Sequence, residues 1–258
     1  MNLQNLFNAL ENVDAEIYER VNFVSRRQLF RYGKKAALMA APLAVASSIN
    51  KAYGNSIPDR TVEVLQFALR LEYLEDEFYR IGLSTPGLIP VRDRPIFEQI
   101  SKHEKSHVEL LLERLRVLGV AADPKPTFDF TAGGTYPTFS NYDTFTMLAQ
   151  AFEDLGVRAY KGQLQTLMMN DAVLRTALRI HSVEARHAAR IRLLRGNKGW
   201  ISNQDGDPIH VYAGEQAIKE RQKEVDVLTS LTGTSISEAF DETLTKDQVL
   251  AIVMRFRS

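Results

Sequence analysis

Residues 103–107 read His-Glu-Lys-Ser-His and residues 183–187 read Val-Glu-Ala-Arg-His, so a Glu-x-x-His pattern occurs twice, as Glu104 with His107 and Glu184 with His187. On an α-helix, positions i and i+3 share a face, and each pair can aim a carboxylate and an imidazole at one point. The neighbours at helical spacing are apolar: Phe97, Ile100, Leu111, Leu115 and Leu118 around the first pair, Ala177, Ile180, Ile191 and Leu194 around the second. Each polar pair therefore interrupts a face made for a core.

A second pattern repeats upstream of each pair. Tyr79 follows Glu72 by seven residues, and Tyr160 follows Glu153 by seven. Seven residues are almost two turns, so each Glu and its Tyr lie on one face. Glu104 follows Glu72 by 32 residues and Glu184 follows Glu153 by 31, the mark of a duplicated helical hairpin. Four carboxylates and two imidazoles in one core are too costly to bury unneutralised. Two divalent cations balance the four negative charges, and Glu and His ligands suit iron(II), manganese(II) or zinc(II). Glu72, Glu104, His107, Glu153, Glu184 and His187 are the expected ligands of two divalent metal ions, with one Glu of each Glu-x-x-His as a bridge. Tyr79 and Tyr160 read either as core aromatics or as hydrogen-bond donors to a ligand carboxylate. Glu75 and Glu77 are expected on the solvated flank, since the repeat places Gly156 and Arg158 at their equivalents. His103 is expected at the surface, His181 is read as structural, and His210 lies in a loop with no assigned role.

The periodicity predicts helices over residues 61–83, 93–118, 143–169 and 171–195, with Asp59 and Asp143 as caps and Gly119 and Gly196 as stops. Pro86, Gly87 and Pro90 mark a short loop, while residues 119–142, with Pro124, Pro126, Gly133, Gly134 and Pro137, form a long connection. Short, long, short is the pattern of an all-α four-helix bundle with one crossover. Beyond it, 197–258 form an extension with a loop, a helix over 215–231 and a closing helix over 246–256 capped by Thr245. Asn203, Asp205 and Asp207 lack a closing bidentate Glu and read as a solvated turn, not a calcium loop.

The 258 residues carry 32 basic and 32 acidic side chains and no cysteine. The balance gives no basic excess for nucleic acid. The missing thiols exclude disulfides, thiolate metal sites and iron–sulfur clusters. Residues 1–54 read as an export leader: Arg26 and Arg27 stand between Ser25 and Leu29-Phe30, then an uncharged run covers 36–49, with cleavage expected at Ala44-Val45-Ala46 or near Ala52–Gly54. The paired arginines resemble a twin-arginine signal, which makes that export machinery an expected partner and the periplasm or cell envelope the expected location. Ahead of them, Leu3, Leu6, Leu10, Val13, Ile17 and Val21 have helical spacing.

Taken together, the six positions in the bundle domain, 55–196, resemble over about residues 57–195 the ferritin-like superfamily of di-iron and di-manganese carboxylate proteins, in which two helices give one Glu each and two give Glu-x-x-His. The chain is most similar to exported bacterial ferritin-like proteins, a group that includes desiccation-associated proteins. The resemblance implies a ferritin-like four-helix bundle, a dinuclear iron or manganese centre, and redox chemistry with dioxygen or peroxide: ferrous oxidation and oxidative-stress protection, a manganese catalase-like activity, or a metal-bound protective protein that is no enzyme. Without Cys there is no rubredoxin module to feed electrons. The long crossover and the extension depart from cage-forming ferritins and speak against storage of iron in a shell. A homo-oligomer is left open.

Overall fold

The computed structural model describes residues 59–258 except 169, 203–204, 207 and 216–237. The export leader and the helix expected over 215–231 lie outside the described residues, apart from Glu215. Four long helices carry the fold: α1 Asp59–Ser84, α2 Arg94–Val117, α3 Tyr142–Leu167 and α4 Asp171–Leu194. A short helix α5, Lys246–Val253, runs into a 3-10 turn, Met254–Phe256. α1 packs along α2, α3 packs along α4, and the two hairpins meet through α1 and α3. The only strand-like feature among the described residues is a single bridge between Phe128 and Arg257. The expected all-α bundle with one long crossover is thus the observed fold.

Helix ends follow local chemistry. Gly119 and Gly196 adopt positive φ where α2 and α4 stop, a conformation that glycine enters without a Cβ penalty. The cap of α3 is Asn141, whose Oδ1 accepts from Thr144 N at 2.8 Å, and not the expected Asp143, which lies inside the first turn. Asn170 caps α4 in the same way. Thr245 caps α5 in a reciprocal box with Gln248, as expected. Asp93 precedes α2 but makes no cap; its carboxylate accepts from Tyr142 Oη at 2.9 Å and ties the start of α2 to the start of α3.

Two apolar cores fill the bundle. One is aromatic: Phe78, Phe97, Phe130, Phe145, Phe152 and Phe256 are all buried, with Phe78 and Phe145 stacked at 4.9 Å between centroids. The other is largely aliphatic, with Leu65, Leu69, Leu111, Leu115, Val173 and Ile180. Along each helix the candidate ligands fall where one core gives way to the other: Glu104 and His107 between Ile100 and Leu111, Glu184 and His187 between Ile180 and Ile191. Apolar packing on either side thus fixes the depth and spacing of the polar layer.

The extension explains α3, which is buried on nearly every face from Phe145 to Tyr160 and includes buried Gln150, Asp154 and Arg158. Arg158 donates to the backbone carbonyls of Val211, Ala213 and Glu242. Arg192 of α4 forks onto Asp154 and reaches Asp205 at 2.9 Å. Asp205 therefore sits against a buried guanidinium, which corrects the expectation of a solvated turn; Asn203 and Asp207 lie outside the described residues. Gly162 lies so close to the Leu244 carbonyl that a Cβ there would strike it. The chain end returns to the crossover, with Ser258 N donating to Thr127 O at 3.1 Å.

Candidate metal centre

Each of the four long helices contributes to one buried polar cluster. Glu72, Glu104, Glu153 and Glu184 are fully buried, and His107 and His187 nearly so. His107 Nδ1 lies 3.2 Å from Glu72 Oε2, 3.0 Å from Glu104 Oε2 and 3.0 Å from Glu184 Oε1. His187 Nδ1 lies 2.8 Å from Glu104 Oε1, 3.3 Å from Glu153 Oε2 and 3.3 Å from Glu184 Oε2. Glu104 and Glu184 each divide their oxygens between the two histidines, whereas Glu72 and Glu153 each serve one. The ligand atoms form two groups, Glu72, Glu104, His107 and Glu184 and then Glu104, Glu153, Glu184 and His187, each within 4.8 Å. The structure brings all six expected residues together.

The tyrosines complete the pattern across the repeat. Tyr79 Oη donates to Glu153 Oε1 at 2.5 Å, and Tyr160 Oη donates to Glu72 Oε1. Each phenol holds the carboxylate of the other hairpin, not of its own helix. One oxygen of each outer Glu is thereby fixed and the other is left facing a histidine. Burial, and then the charges of Glu153 and Glu72, push both phenols well above their usual range and keep them as donors.

A dimetal centre fits this donor set. Three carboxylate oxygens surround each Nδ1, more acceptors than one N–H can serve. Glu104 Oε1, Glu153 Oε2, both oxygens of Glu184 and His187 Nδ1 have no hydrogen-bond partner despite full burial. These atoms are close enough to attract yet point their lone pairs at a shared space, which is the arrangement cations satisfy.

Two residues contradict the sequence-based expectation. His103 is not simply a surface residue: its ring stacks on His187 at 11° and 5.1 Å, with Nδ1 at 2.8 Å from His187 Nε2. With His187 Nδ1 turned to the cluster, its Nε2 meets His103 Nδ1, and His103 Nε2 in turn meets the Gln99 side-chain amide at 2.7 Å. His103 precedes Glu104 and points to a different side of α2, yet it still meets α4 through His187. Glu75 is the second correction. It is 2% exposed and lies inside, whereas Glu77 takes the expected flank and pairs with Arg80 and Lys125. His181 lies outside both ligand groups.

A family model described as a ferritin-like domain matches residues 60–197, more than half of the chain. The chain belongs to the ferritin-like family. Comparison with curated proteins finds no match. The matched span of this ferritin-like protein covers all four long helices and all six residues of the cluster.

Without metal the cluster must be held by protons. Burial raises Glu153 to about 7 against the opposing pull of His187. Burial alone would lower His187, yet Glu153, Glu104 and Glu184 lift it to about 12; His107 is raised for the same reason. Glu184 feels burial upward but is drawn down to about 2 by both imidazoles. The stability contributed by Glu153 is full below pH 4.5 and is lost toward pH 7, and that of His187 is full below pH 6.5 and is lost toward pH 12. Glu184 contributes above pH 4.5 and loses its contribution toward pH 2. The metal-free protein should therefore melt highest at about pH 5, and its melting temperature should fall as the pH is raised to about 8. Thermal scans across that range check this, and a melting temperature that rises with pH would contradict it.

Proposed function

We propose that this ferritin-like protein holds two divalent metal ions, iron before manganese, and carries out redox chemistry with dioxygen or peroxide, oxidising ferrous iron and protecting against oxidative stress. The observation that carries this reading is the division of Glu104 and Glu184 between two histidines, each of which has one further carboxylate of its own. Two M(II) ions bring four positive charges to the four carboxylates Glu72, Glu104, Glu153 and Glu184. When bound there, iron or manganese supplies one-electron redox steps close to a small substrate. The protein supports this with its own residues. Tyr79 and Tyr160 orient the outer carboxylates, His103 orients His187, and the two apolar cores exclude bulk water.

The test is to load metal-free protein separately with iron(II) and manganese(II), then follow metal content, ferric absorbance on aeration and oxygen evolution from peroxide. The expected outcome is two ions per chain, rapid ferric absorbance and slow oxygen evolution. Glu104→Ala combined with Glu184→Ala should lose most of the metal. Fast oxygen evolution from the manganese form with inert iron would move the reading to a catalase-like enzyme. Silence in both loaded forms would overturn the redox reading in favour of a protective, non-enzymatic role.

We also propose that the chain is exported through a twin-arginine signal to the periplasm or cell envelope, supported by Arg26, Arg27 and the uncharged run after them. Such export carries folded proteins and suits a metal centre assembled beforehand. Arg26→Lys with Arg27→Lys should retain the protein inside the cell, seen by fractionation. Unchanged export of this variant would contradict the twin-arginine assignment.

A further inference from the structure

Glu75 is a buried carboxylate that the six-residue centre does not use. It lies on α1 one turn after Glu72, 2% exposed, and its Oε2 has no hydrogen-bond partner. Its place in the bundle is made by the opposite helix. A Cβ added to Gly156 of α3 would lie 3.2 Å from Glu75 Oε1 and 3.6 Å from Glu184 Cγ. The missing side chain at Gly156 thus leaves the space that the Glu75 carboxylate approaches, beside a residue shared by both ligand groups.

The spacing has the same form as the rest of the centre. α2 presents Glu104 and His107 at i, i+3, and α4 presents Glu184 and His187 at i, i+3. α1 presents Glu72 and Glu75 at the same interval, while α3 presents Glu153 and Gly156. Residues at i, i+3 are neighbours on a helix surface. Three helices therefore offer two donors each, and the fourth offers one donor and a gap. Burial, followed by the charges of Glu184, Glu153, Glu72 and Glu104, pushes Glu75 well above the usual carboxylate range, so all four carboxylates act on it. A surface-type glutamate placed there by chance would cost more than a glutamine of the same shape.

We infer that Glu75 is a fifth carboxylate ligand of the metal centre, entering beside Glu184 through the space left by Gly156. This rests on the dimetal reading above. Glu75 makes the two halves of the centre unequal, because the α3 half has no counterpart to it. With two divalent ions and four charged carboxylates the centre is already neutral, so Glu75 brings one negative charge more than M(II) pairs need, and its ligation favours ions of higher charge or higher coordination number.

The experiment titrates cobalt(II) and manganese(II) into full-length metal-free protein and reads stoichiometry, affinity and the cobalt d–d absorption, which reports coordination number. Wild type, Glu75→Gln and Gly156→Ala are compared. Glu75→Gln keeps the shape and removes the charge; Gly156→Ala keeps every carboxylate and displaces the Glu75 side chain. Both variants should still bind two ions, should hold one of them at least about tenfold more weakly, and should show the same shifted cobalt spectrum. Metal-free Glu75→Gln should melt higher than wild type, which shows that it folds. Wild-type affinity and spectrum in both variants would overturn the assignment of Glu75 alone. Failure of the wild type to bind two ions would instead overturn the dimetal reading on which it depends.

Discussion

The structure depends on one electrostatic constraint: the carboxylates of Glu72, Glu104, Glu153 and Glu184 meet at the centre of a bundle with no lysine or arginine paired to them among the described residues. Burying a charged group costs on the order of several kcal/mol unless it is paired. Every other feature of the centre can be read as an answer to that cost. The two histidines stand between the carboxylates, the tyrosines spend one oxygen of each outer Glu, and the oxygens that remain converge in two groups. Protons on the imidazoles can hold the cluster together, but they leave donors and acceptors mismatched, with several buried atoms unpaired. Divalent cations remove the mismatch because one ion accepts several lone pairs at once, which an N–H cannot do.

The polar layer is held in place by buried apolar layers on either side. Phe78, Phe97 and Phe145 pack on one side of the polar layer, and Leu69, Leu111 and Ile180 on the other. The C-terminal extension adds a further layer. It buries the outward side of α3 through Arg158 and Arg192, which reach backbone carbonyls and the carboxylates of Asp154 and Asp205. The polar residues on that side of α3 are thus an interface to the rest of the chain rather than a solvated face, and the helix carrying Glu153 is clamped from both sides. A bundle without such an extension would need α3 to be polar outward.

The bundle and its six central residues were legible because they are periodic. Glu-x-x-His recurs on two apolar faces, and Glu72 with Tyr79 is matched by Glu153 with Tyr160 at equal spacing. Such repeats constrain direction as well as position. What was not legible came from departures from that periodicity. Glu75 was read as exposed because its equivalent is Gly156, whereas the glycine is the complement of the glutamate: one makes the space and the other occupies it. His103 was read as exposed because it precedes Glu104 on the helix, but the neighbouring helix brings His187 to it, a contact that spacing along one helix cannot contain. The Tyr-to-Glu bonds also cross between hairpins, and helical spacing alone places each phenol only near its own helix's carboxylate. The Asn141 cap was missed by two residues because Asn and Asp cap a helix about equally well and both stand at this start.

The most direct measurement is an anomalous difference map from crystals of the protein loaded with manganese or iron, recorded at that metal's absorption edge. Two peaks should lie in the centre of the bundle, one beside Nδ1 of His107 and one beside Nδ1 of His187, with the carboxylates of Glu104 and Glu184 between them. A single peak, or peaks confined to the protein surface, would contradict a centre shared between two ions.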